Sequence, residues 1–276
     1  MHLVAQSPRL SDADAAGLLR FSASGERARL AAGAVRISDV APATGIADYC
    51  NARHIDFAYV PRERRLDRVG LVAVDMDSTL ITIECIDEIA DMHGIRPQVA
   101  AITASAMRGD LDFAESLRRR VGLLAGLDVT ALQRVYDERL RLSPGAEPML
   151  AAFKAVGART MLVSGGFTFF TDRLQARLGL DYTAANVLEV AAGKLTGRVE
   201  GNIVDAGAKA EAVRRIRESP GMTGKLVVGI GDGANDLPML AIADVSIGYH
   251  AKPVVRERAT CQINYCGLDA VVNLFL

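Results

Sequence analysis

VGLVAVDMDST, the stretch from Val69 to Thr79, decides the fold because it joins a short apolar run directly to two carboxylates. An apolar run of this length is typical of a buried strand in a parallel sheet. Open α/β sheets bind their ligands beyond the carboxyl ends of the strands. Asp75 and Asp77 would repel each other at such a position, so we expect a cation beside them. The stretch therefore predicts an α/β protein that binds magnesium and a phosphorylated molecule at this strand end.

A second apolar run, Leu226 to Ile230, ends in the acidic loop GDGAND, which covers Gly231 to Asp236. The glycines of this loop permit a tight turn and a close approach of the backbone to a ligand. Mg²⁺ prefers oxygen ligands, often one or two carboxylates together with phosphate and water. We therefore predict Asp75 and Asp232 as magnesium ligands, with the backbone carbonyl of Asp77 as a third.

Candidate phosphate-binding residues follow a third apolar run, Arg159 to Val163. Ser164, Gly165 and Gly166 offer a hydroxyl and exposed backbone N–H groups, which suit an oxyanion. Lys209, near the start of a predicted helix, would neutralise phosphate charge. Each of these motifs alone is more often an ordinary turn or a solvated charge. Their order along the chain, with each acidic cluster after a buried-strand pattern, favours a functional site.

These motifs, in this order, resemble those of the haloacid dehalogenase-like phosphatases, and the sequence between them is similar to the phosphoserine phosphatase family. The segments that carry the resemblance are residues 75–79, 84–90, 107–113, 116–121, 164–167 and 231–236. The similarity extends over residues 69–276. It implies a three-layer α/β sandwich with a mainly parallel sheet and a helical cap inserted after the first motif.

The resemblance also implies a role for each motif residue. Asp75 would attack phosphorus and become an aspartyl phosphate, which divides one difficult displacement into two easier ones. Asp77 would protonate the leaving seryl oxygen and then activate the water that hydrolyses the intermediate. Ser164 and Lys209 would stabilise the charge of the phosphoryl group. Asp236 would support the magnesium site from outside the coordination shell.

Residues 82–142 are predicted to form the cap, because their helical patterns make an insertion too long for an ordinary strand-to-helix connection. Such a lid closes over the site and excludes water. The resemblance places Glu84 at the substrate ammonium and Arg120 at its carboxylate. Met107 and Phe113 would provide apolar walls. The substrate-binding set implied by the resemblance is Glu84, Met107, Phe113, Arg120, Ser164, Gly165, Gly166, Lys209 and Asn235.

Two of these cap residues have an ordinary structural interpretation. Glu84 would be a favourable acid at a helix N-terminus. Arg120, together with Arg118 and Arg119, would form a solvated helix face. Because neighbouring residues on a helix diverge by about 100°, only one of the three arginines can point at a substrate, and Arg120 is the one that aligns with the family.

Residues 1–65 lie outside the resemblance and are predicted to be a small α+β domain, with residues 66–276 as the phosphatase core. The pattern of this N-terminal segment suggests the order β-α-β-α-β, with a first helix from Ser11 to Leu30. That order is similar to a shortened ACT-like regulatory module. The alternative is a small appendage that packs on the catalytic domain or forms a dimer.

Composition argues against several classes of protein. The 276 residues suit one or two domains. A net charge of −1 provides no electrostatic footprint for nucleic acid or for an anionic membrane. No apolar stretch has the length of a transmembrane helix, and the N-terminus lacks a signal-peptide pattern. We expect a cytoplasmic monomer or homodimer whose four cysteines stay reduced.

The resemblance thus implies a Mg²⁺-dependent enzyme that hydrolyses O-phospho-L-serine to L-serine and phosphate, the last step of serine biosynthesis. One alternative is a related phosphotransferase or small-molecule phosphatase with another substrate, which would not need the pair Glu84 and Arg120. The other is a non-catalytic binding protein on the same scaffold, in which degenerate motifs are expected. The intact motif residues argue against this second alternative.

Overall fold

Two β-sheets, with the helices that pack on them, organise the computed structural model, which describes residues 1–275. The strands are β1 His2–Gln6, β2 Arg27–Ala31, β3 Ala34–Ile37, β4 Asp56–Val60, β5 Val69–Val74, β6 Arg159–Phe167, β7 Tyr182–Ala191, β8 Lys194–Glu200, β9 Leu226–Gly231, β10 Val245–Tyr249 and β11 Cys261–Ile263. The α-helices are α1 Asp12–Leu19, α2 Ile46–Asn51, α3 Cys85–Met92, α4 Arg96–Met107, α5 Phe113–Gly122, α6 Thr130–Arg134, α7 Ala146–Ala155, α8 Thr168–Leu178, α9 Ala206–Arg217, α10 Leu237–Ala241 and α11 Pro253–Arg256.

The larger sheet has seven strands in the order β11-β10-β9-β5-β6-β7-β8. Its neighbouring strands are parallel except for β8, which forms an antiparallel hairpin with β7. Ala192 and Gly193 make the turn of this hairpin and both have positive φ, as the commonest two-residue hairpin turns require. The prediction of a mainly parallel sheet is confirmed.

Helices cover both faces of the larger sheet, and the central strand β5 shows why. All six residues of β5 are buried. Val72 and Val74 belong to one hydrophobic cluster, whereas Leu71 and Ala73 belong to another. Alternate side chains therefore enter two cores, one on each face. The continuous apolar run of the sequence is explained by this double burial, and the three-layer α/β sandwich is confirmed.

Helices α3, α4, α5 and α6 follow β5, in the segment predicted to be the cap. The chain enters and leaves this segment side by side, because Ile81 and Leu142 form an isolated antiparallel bridge. Asp112 caps α5 by accepting the backbone N–H of Glu115, and α5 then packs against α4 and β8. The helical insertion is thus anchored beside the carboxyl end of β5.

The smaller sheet is antiparallel, in the order β2-β3-β1-β4, and corrects one prediction. The helix expected from Ser11 to Leu30 is wrong. It begins as expected, with Ser11 and Asp14 in a capping box, but ends at Leu19. After a left-handed Gly25, the chain enters strand β2 and pairs with β3. The element order is therefore β-α-β-β-α-β rather than β-α-β-α-β.

The smaller sheet lies against the C-terminal segment of the chain. Its residues Val4, Ala58 and Val60 belong to the same hydrophobic cluster as the core of the larger sheet. The buried carboxylate of Asp56 accepts three backbone N–H groups, from residues 264, 265 and 266, at 2.7 to 3.0 Å. Both apolar packing and charge-assisted hydrogen bonds therefore join the two sheets.

Two further observations concern the whole chain. All four cysteines are buried free thiols, at Cys50, Cys85, Cys261 and Cys266. Within residues 1–275, no helix combines the length and the apolar character needed to cross a bilayer.

Candidate active site

The site forms where three neighbouring strands of the larger sheet end. β5 lies between β9 and β6, so Asp75, Asp232 and Ser164 emerge at the same edge of the sheet. Lys209 reaches this edge from α9, whose first turn is capped by the carboxylate of Asp205. The topology therefore brings together four residues that are far apart in sequence.

Lys209 is a buried cation between two buried carboxylates. Its side chain is 1% exposed. Its Nζ donates to Oδ1 of Asp75, and also to Oδ1 of Asp236 at 2.8 Å. Burial disfavours the charged amine, but the attraction of Asp75 and Asp236 outweighs burial and raises the pKa of Lys209. The lysine is therefore held in its charged form.

Three carboxylates converge at this point in a way that suits a metal ion. Oxygen atoms of Asp75, Asp232 and Asp236 all lie within 4.8 Å of one another. Burial and the nearby Asp236 raise the pKa of Asp232 to about 6, and the same two causes raise the pKa of Asp75. Such crowding of acidic oxygens is relieved by a cation, and an all-oxygen donor set fits Mg²⁺.

Asp236 differs from the other two acids because its oxygens already have partners. Oδ1 accepts from Lys209, while Oδ2 accepts the backbone N–H groups of Asp232 and Gly233 at 3.2 and 3.0 Å. A Cβ at Gly231 would lie 2.5 Å from the carboxyl carbon of Asp236, so only glycine fits there. Asp236 therefore orients the acidic loop and Lys209.

Asp77 lies in an irregular turn directly after β5. Ser78 within this turn adopts a left-handed conformation, with φ of 55°. Oδ1 of Asp77 accepts the backbone N–H of Cys85 at 2.9 Å, and Oδ2 lies 3.4 Å from the Ser164 hydroxyl. Burial, together with the Glu84 carboxylate, raises the pKa of Asp77 to about 7. Asp77 can therefore hold or release a proton near neutral pH.

The Ser164 loop is the end of strand β6. The backbone N–H of Gly166 donates to the Ser164 hydroxyl at 2.8 Å. A Cβ at Gly166 would lie 2.8 Å from Oδ2 of Asp77, so the close approach of the loop to the acid requires glycine. The side-chain amide of Asn186 holds the carbonyl of Gly165 at 2.8 Å. Hydrogen bonds at Ser164 and at Gly165 thus hold the loop in place.

A cavity of about 330 Å³ opens between this edge of the sheet and the cap. Its walls include the predicted residues Asp75, Asp77, Glu84, Met107, Phe113, Arg120, Ser164, Gly165, Gly166, Asp232 and Asn235. Two predicted residues, Lys209 and Asp236, are not part of its walls and lie buried behind Asp75. Met107 is 73% exposed and so covers the cavity only loosely.

The two predicted recognition residues of the cap differ in their surroundings, since Glu84 is exposed at the N-cap of α3, as its structural interpretation expected, whereas Arg120 is partly buried. Glu84 makes no side-chain hydrogen bond to its own helix and instead accepts the Ser78 hydroxyl at 2.8 Å. Arg118 and Arg119 are exposed, whereas Arg120 is partly buried at the cavity wall. Burial lowers the pKa of Arg120, although nearby acidic groups oppose this effect.

Sequence reasoning missed several wall residues, notably Ser116 and Lys252. Lys252 follows β10, and its backbone N–H donates to the carbonyl of Asp232 at 2.9 Å. Its position just beyond another strand end was a signal that could have found it. Ser116 lies one helical turn before Arg120, a spacing that also could have indicated it.

The family model of the haloacid dehalogenase-like hydrolases matches residues 72–241, more than half of the chain. The match includes the strand-end cluster, which consists of Asp75, Asp77, Ser164, Lys209, Asp232 and Asp236. This chain belongs to the haloacid dehalogenase-like hydrolase family. The prediction of a hydrolase of this family is therefore confirmed. Among such hydrolases, the phosphoserine phosphatase of a Polaromonas species is 50% identical over 215 residues, which cover 76% of this chain and 91% of the relative.

Solved structures of this family have the same architecture. A probable phosphoserine phosphatase from Vibrio cholerae, in its unliganded form, superposes with a TM-score of 0.85 and 36% identity, covering 99% of this chain and 85% of the other. A substrate-bound phosphoserine phosphatase complex superposes with a TM-score of 0.69 and 37% identity, covering 75% and 99%. The resemblance seen in the motifs thus extends to the whole fold.

Proposed function

We propose that this hydrolase is a magnesium-dependent phosphoserine phosphatase, which converts O-phospho-L-serine and water to L-serine and phosphate. The observation that carries the proposal is the cavity itself, because the strand-end acids share its walls with Glu84 and Arg120. The cavity therefore combines groups that suit a phosphate with groups that suit the two charges of an amino acid. Relatives named phosphoserine phosphatase support the same substrate.

The metal would be held by the carboxylates of Asp75 and Asp232 and by the backbone carbonyl of Asp77. Asp236 would support this site through its hydrogen bonds to the acidic loop. When bound, magnesium would neutralise part of the charge of the phosphoryl group. Lys209 supplies a further positive charge directly behind Asp75.

In the first half-reaction, an oxygen of Asp75 attacks phosphorus while the bond from phosphorus to the seryl oxygen breaks. Asp77 donates its proton to that oxygen, and its pKa of about 7 suits this task. The Ser164 hydroxyl, together with backbone groups of its loop, would bind phosphate oxygens. The products of this step are L-serine and a phosphorylated Asp75.

In the second half-reaction, Asp77 acts as the base because it has just lost its proton. It takes a proton from water, whose oxygen attacks phosphorus and displaces the carboxylate of Asp75. Asn235, at the cavity wall, would contact the substrate or this water. Phosphate leaves, and both aspartates return to their starting states.

In the cell, this reaction would be the last step of serine biosynthesis. A cytoplasmic location stays a prediction. The oligomeric state, a monomer or a homodimer, stays a prediction.

The proposal is tested by phosphate release from L-phosphoserine, phosphothreonine, a sugar phosphate and p-nitrophenyl phosphate. We expect a strong preference for L-phosphoserine that is lost with EDTA and restored by added Mg²⁺. Equal activity on all four substrates would preserve the role of Asp75 but argue against amino-acid recognition by Glu84 and Arg120. Full activity in EDTA would contradict the metal site.

The covalent intermediate is tested by Asp75→Asn, because an amide cannot serve as the nucleophile. We expect turnover to fall by at least about 10³-fold without loss of the fold. Mass spectrometry after acid quenching should find phosphate on Asp75 in the unmodified protein. Asp172→Asn, an exposed change on α8, is the matched control. Phosphate bound to a different residue would overturn the assignment of the nucleophile.

A further inference from the structure

Ser116 is a buried hydroxyl residue at the wall of the cavity. The residue is 2% exposed and lines the cavity beside the cap. Within residues 1–275, its Oγ makes no hydrogen bond. Leaving a buried hydroxyl without a partner costs free energy, and each such group in a folded protein calls for an explanation. A ligand in the cavity would be one.

Ser116 is unusual among the hydroxyls of this site. Thr103 also lies at the cavity wall, but its Oγ1 already donates to the carbonyl of Val99 at 3.1 Å. The hydroxyls of Ser78 and Ser164 likewise have protein partners, in Glu84 and in the loop of β6. Ser116 is therefore the hydroxyl that is left available for a bound molecule.

Helix α5 places this hydroxyl next to a cation. Ser116 and Arg120 are four residues apart, so they lie on the same face of the helix. The Nε of Arg120 donates to the backbone carbonyl of Ser116 at 3.4 Å, which keeps the guanidinium close to that residue. Both residues line the cavity. A guanidinium with an adjacent hydroxyl donor matches a carboxylate.

The ammonium group of the substrate has a different protein partner. Glu84 would take the ammonium, and its carboxylate already receives the Ser78 hydroxyl. The free hydroxyl of Ser116 is therefore assigned to the anionic group rather than to the ammonium.

We propose that the Ser116 hydroxyl donates a hydrogen bond to the substrate carboxylate, beside Arg120, and that it contributes to amino-acid specificity. This inference rests on the proposed phosphoserine phosphatase activity. It identifies Ser116 as a substrate-binding residue that takes no part in the chemical steps at Asp75 and Asp77.

The test compares Ser116→Ala with Ser116→Thr on three substrates. L-phosphoserine carries both charged groups, phosphoethanolamine lacks the carboxylate, and 3-phosphooxypropanoate lacks the ammonium. Ser116→Ala should raise KM about tenfold for L-phosphoserine and for 3-phosphooxypropanoate, which both carry a carboxylate. The value of kcat should change little, because only a hydrogen bond to a charged group of the substrate is lost. KM for phosphoethanolamine should stay the same, and Ser116→Thr should retain most of the affinity.

Two controls separate binding from folding. Ser105→Ala removes a cap hydroxyl that bonds Asp110 and is not part of the cavity wall, so it should leave KM for all three substrates unchanged. Urea unfolding without substrate should show that Ser116→Ala is at least as stable as the unmodified protein, because no protein hydrogen bond is removed.

The outcomes also separate this inference from the proposed function. An unmodified enzyme that prefers L-phosphoserine over phosphoethanolamine, combined with an unchanged preference in Ser116→Ala, would overturn the role of Ser116 alone. Equal loss on all three substrates would do the same, because it indicates a structural effect. An unmodified enzyme without any preference would contradict the proposed function itself.

Discussion

At the residue scale, Lys209 is the cation that balances two carboxylates of the site. It is buried between Asp75 and Asp236, and both carboxylates are themselves buried. Burying a charge is costly unless a partner and hydrogen bonds compensate it. Removing the cation of Lys209 should therefore destabilise the fold.

We predict that Lys209→Met lowers the free energy of unfolding by about 3–5 kcal/mol, because it leaves two buried carboxylates without their cation. Urea unfolding of the metal-free protein measures this loss. Adding Asp236→Asn to the variant should recover part of the stability, since one of the two charges is removed.

Lys225→Met, at an exposed lysine that donates to the carbonyl of Asp67, is the matched control and should have little effect. If Lys209→Met unfolded at the same urea concentration as the unmodified protein, the ion pairs would be irrelevant to stability.

At the element scale, helix α5 shows how the spacing of residues along a helix decides their surroundings. Its three consecutive arginines point in different directions, so Arg118 and Arg119 are exposed while Arg120 lines the cavity. Arg119 instead pairs with Glu115, one turn earlier on the same helix. One face of the helix is therefore exposed to solvent, and another lines the cavity.

We predict that Arg120→Ala raises KM for L-phosphoserine by about 10-fold to 100-fold, because a charge-assisted bond to the carboxylate is lost. KM for p-nitrophenyl phosphate, which has no carboxylate, should change little. Steady-state kinetics on both substrates measure the difference, and Arg119→Ala provides the control. Equal losses on the two substrates would show that Arg120 has a structural role.

At the scale of the whole molecule, the smaller sheet and the larger sheet form a continuous structure. Val4, Ala58 and Val60 extend the main hydrophobic cluster into the smaller sheet. The Asp56 carboxylate adds three hydrogen bonds to the backbone that follows β11. The smaller sheet is thus packed against the larger one.

We predict that Asp56→Ala lowers the free energy of unfolding by about 2–4 kcal/mol, because three buried N–H groups lose their acceptor. Hydrogen exchange should become faster at residues 264–266, while the strand-end cluster stays protected. Asp48→Ala, an exposed change on α2, is the control. Unchanged exchange at residues 264–266 would contradict this role for Asp56.

The smaller sheet should also limit stability at alkaline pH. Burial raises the pKa of Cys50 to about 12, against about 8.5 for an unfolded chain. Between these values, the unfolded state loses a proton that the native state keeps, so stability falls as pH rises, by about 1.4 kcal/mol per pH unit. Urea unfolding between about pH 8.5 and pH 10.5 measures the total slope, to which the other three buried thiols also contribute because burial raises their pKa values.

Cys50→Ala removes the ionisable group and supplies the comparison. The variant should be less stable at neutral pH, because Cys50 is 0% exposed and packs in the core of the smaller sheet. Its stability should nevertheless fall less steeply with rising pH. Equal slopes for the two proteins would mean that the thiol keeps an ordinary pKa.

The sequence was most informative where local patterns have one structural meaning. The run Val69–Val74 is apolar at every position because β5 is buried on both faces, and this predicted the layered α/β fold. It was least informative in the smaller sheet. The segment Arg27–Ala31 carries no strong strand pattern, so its pairing with β3 depends on a partner strand that local propensity cannot reveal.

By itself, the sequence determined the mainly parallel sheet, the acidic motifs and the family, because apolar periodicity and motif spacing are local properties of the chain. Only the tertiary structure decided that Lys209 lies between Asp75 and Asp236, and that Asp56 joins the two sheets. It also decided that the Ser116 hydroxyl has no hydrogen-bond partner among residues 1–275. These facts depend on contacts between distant segments. Burial and unmet hydrogen bonds exist only once those segments are packed together.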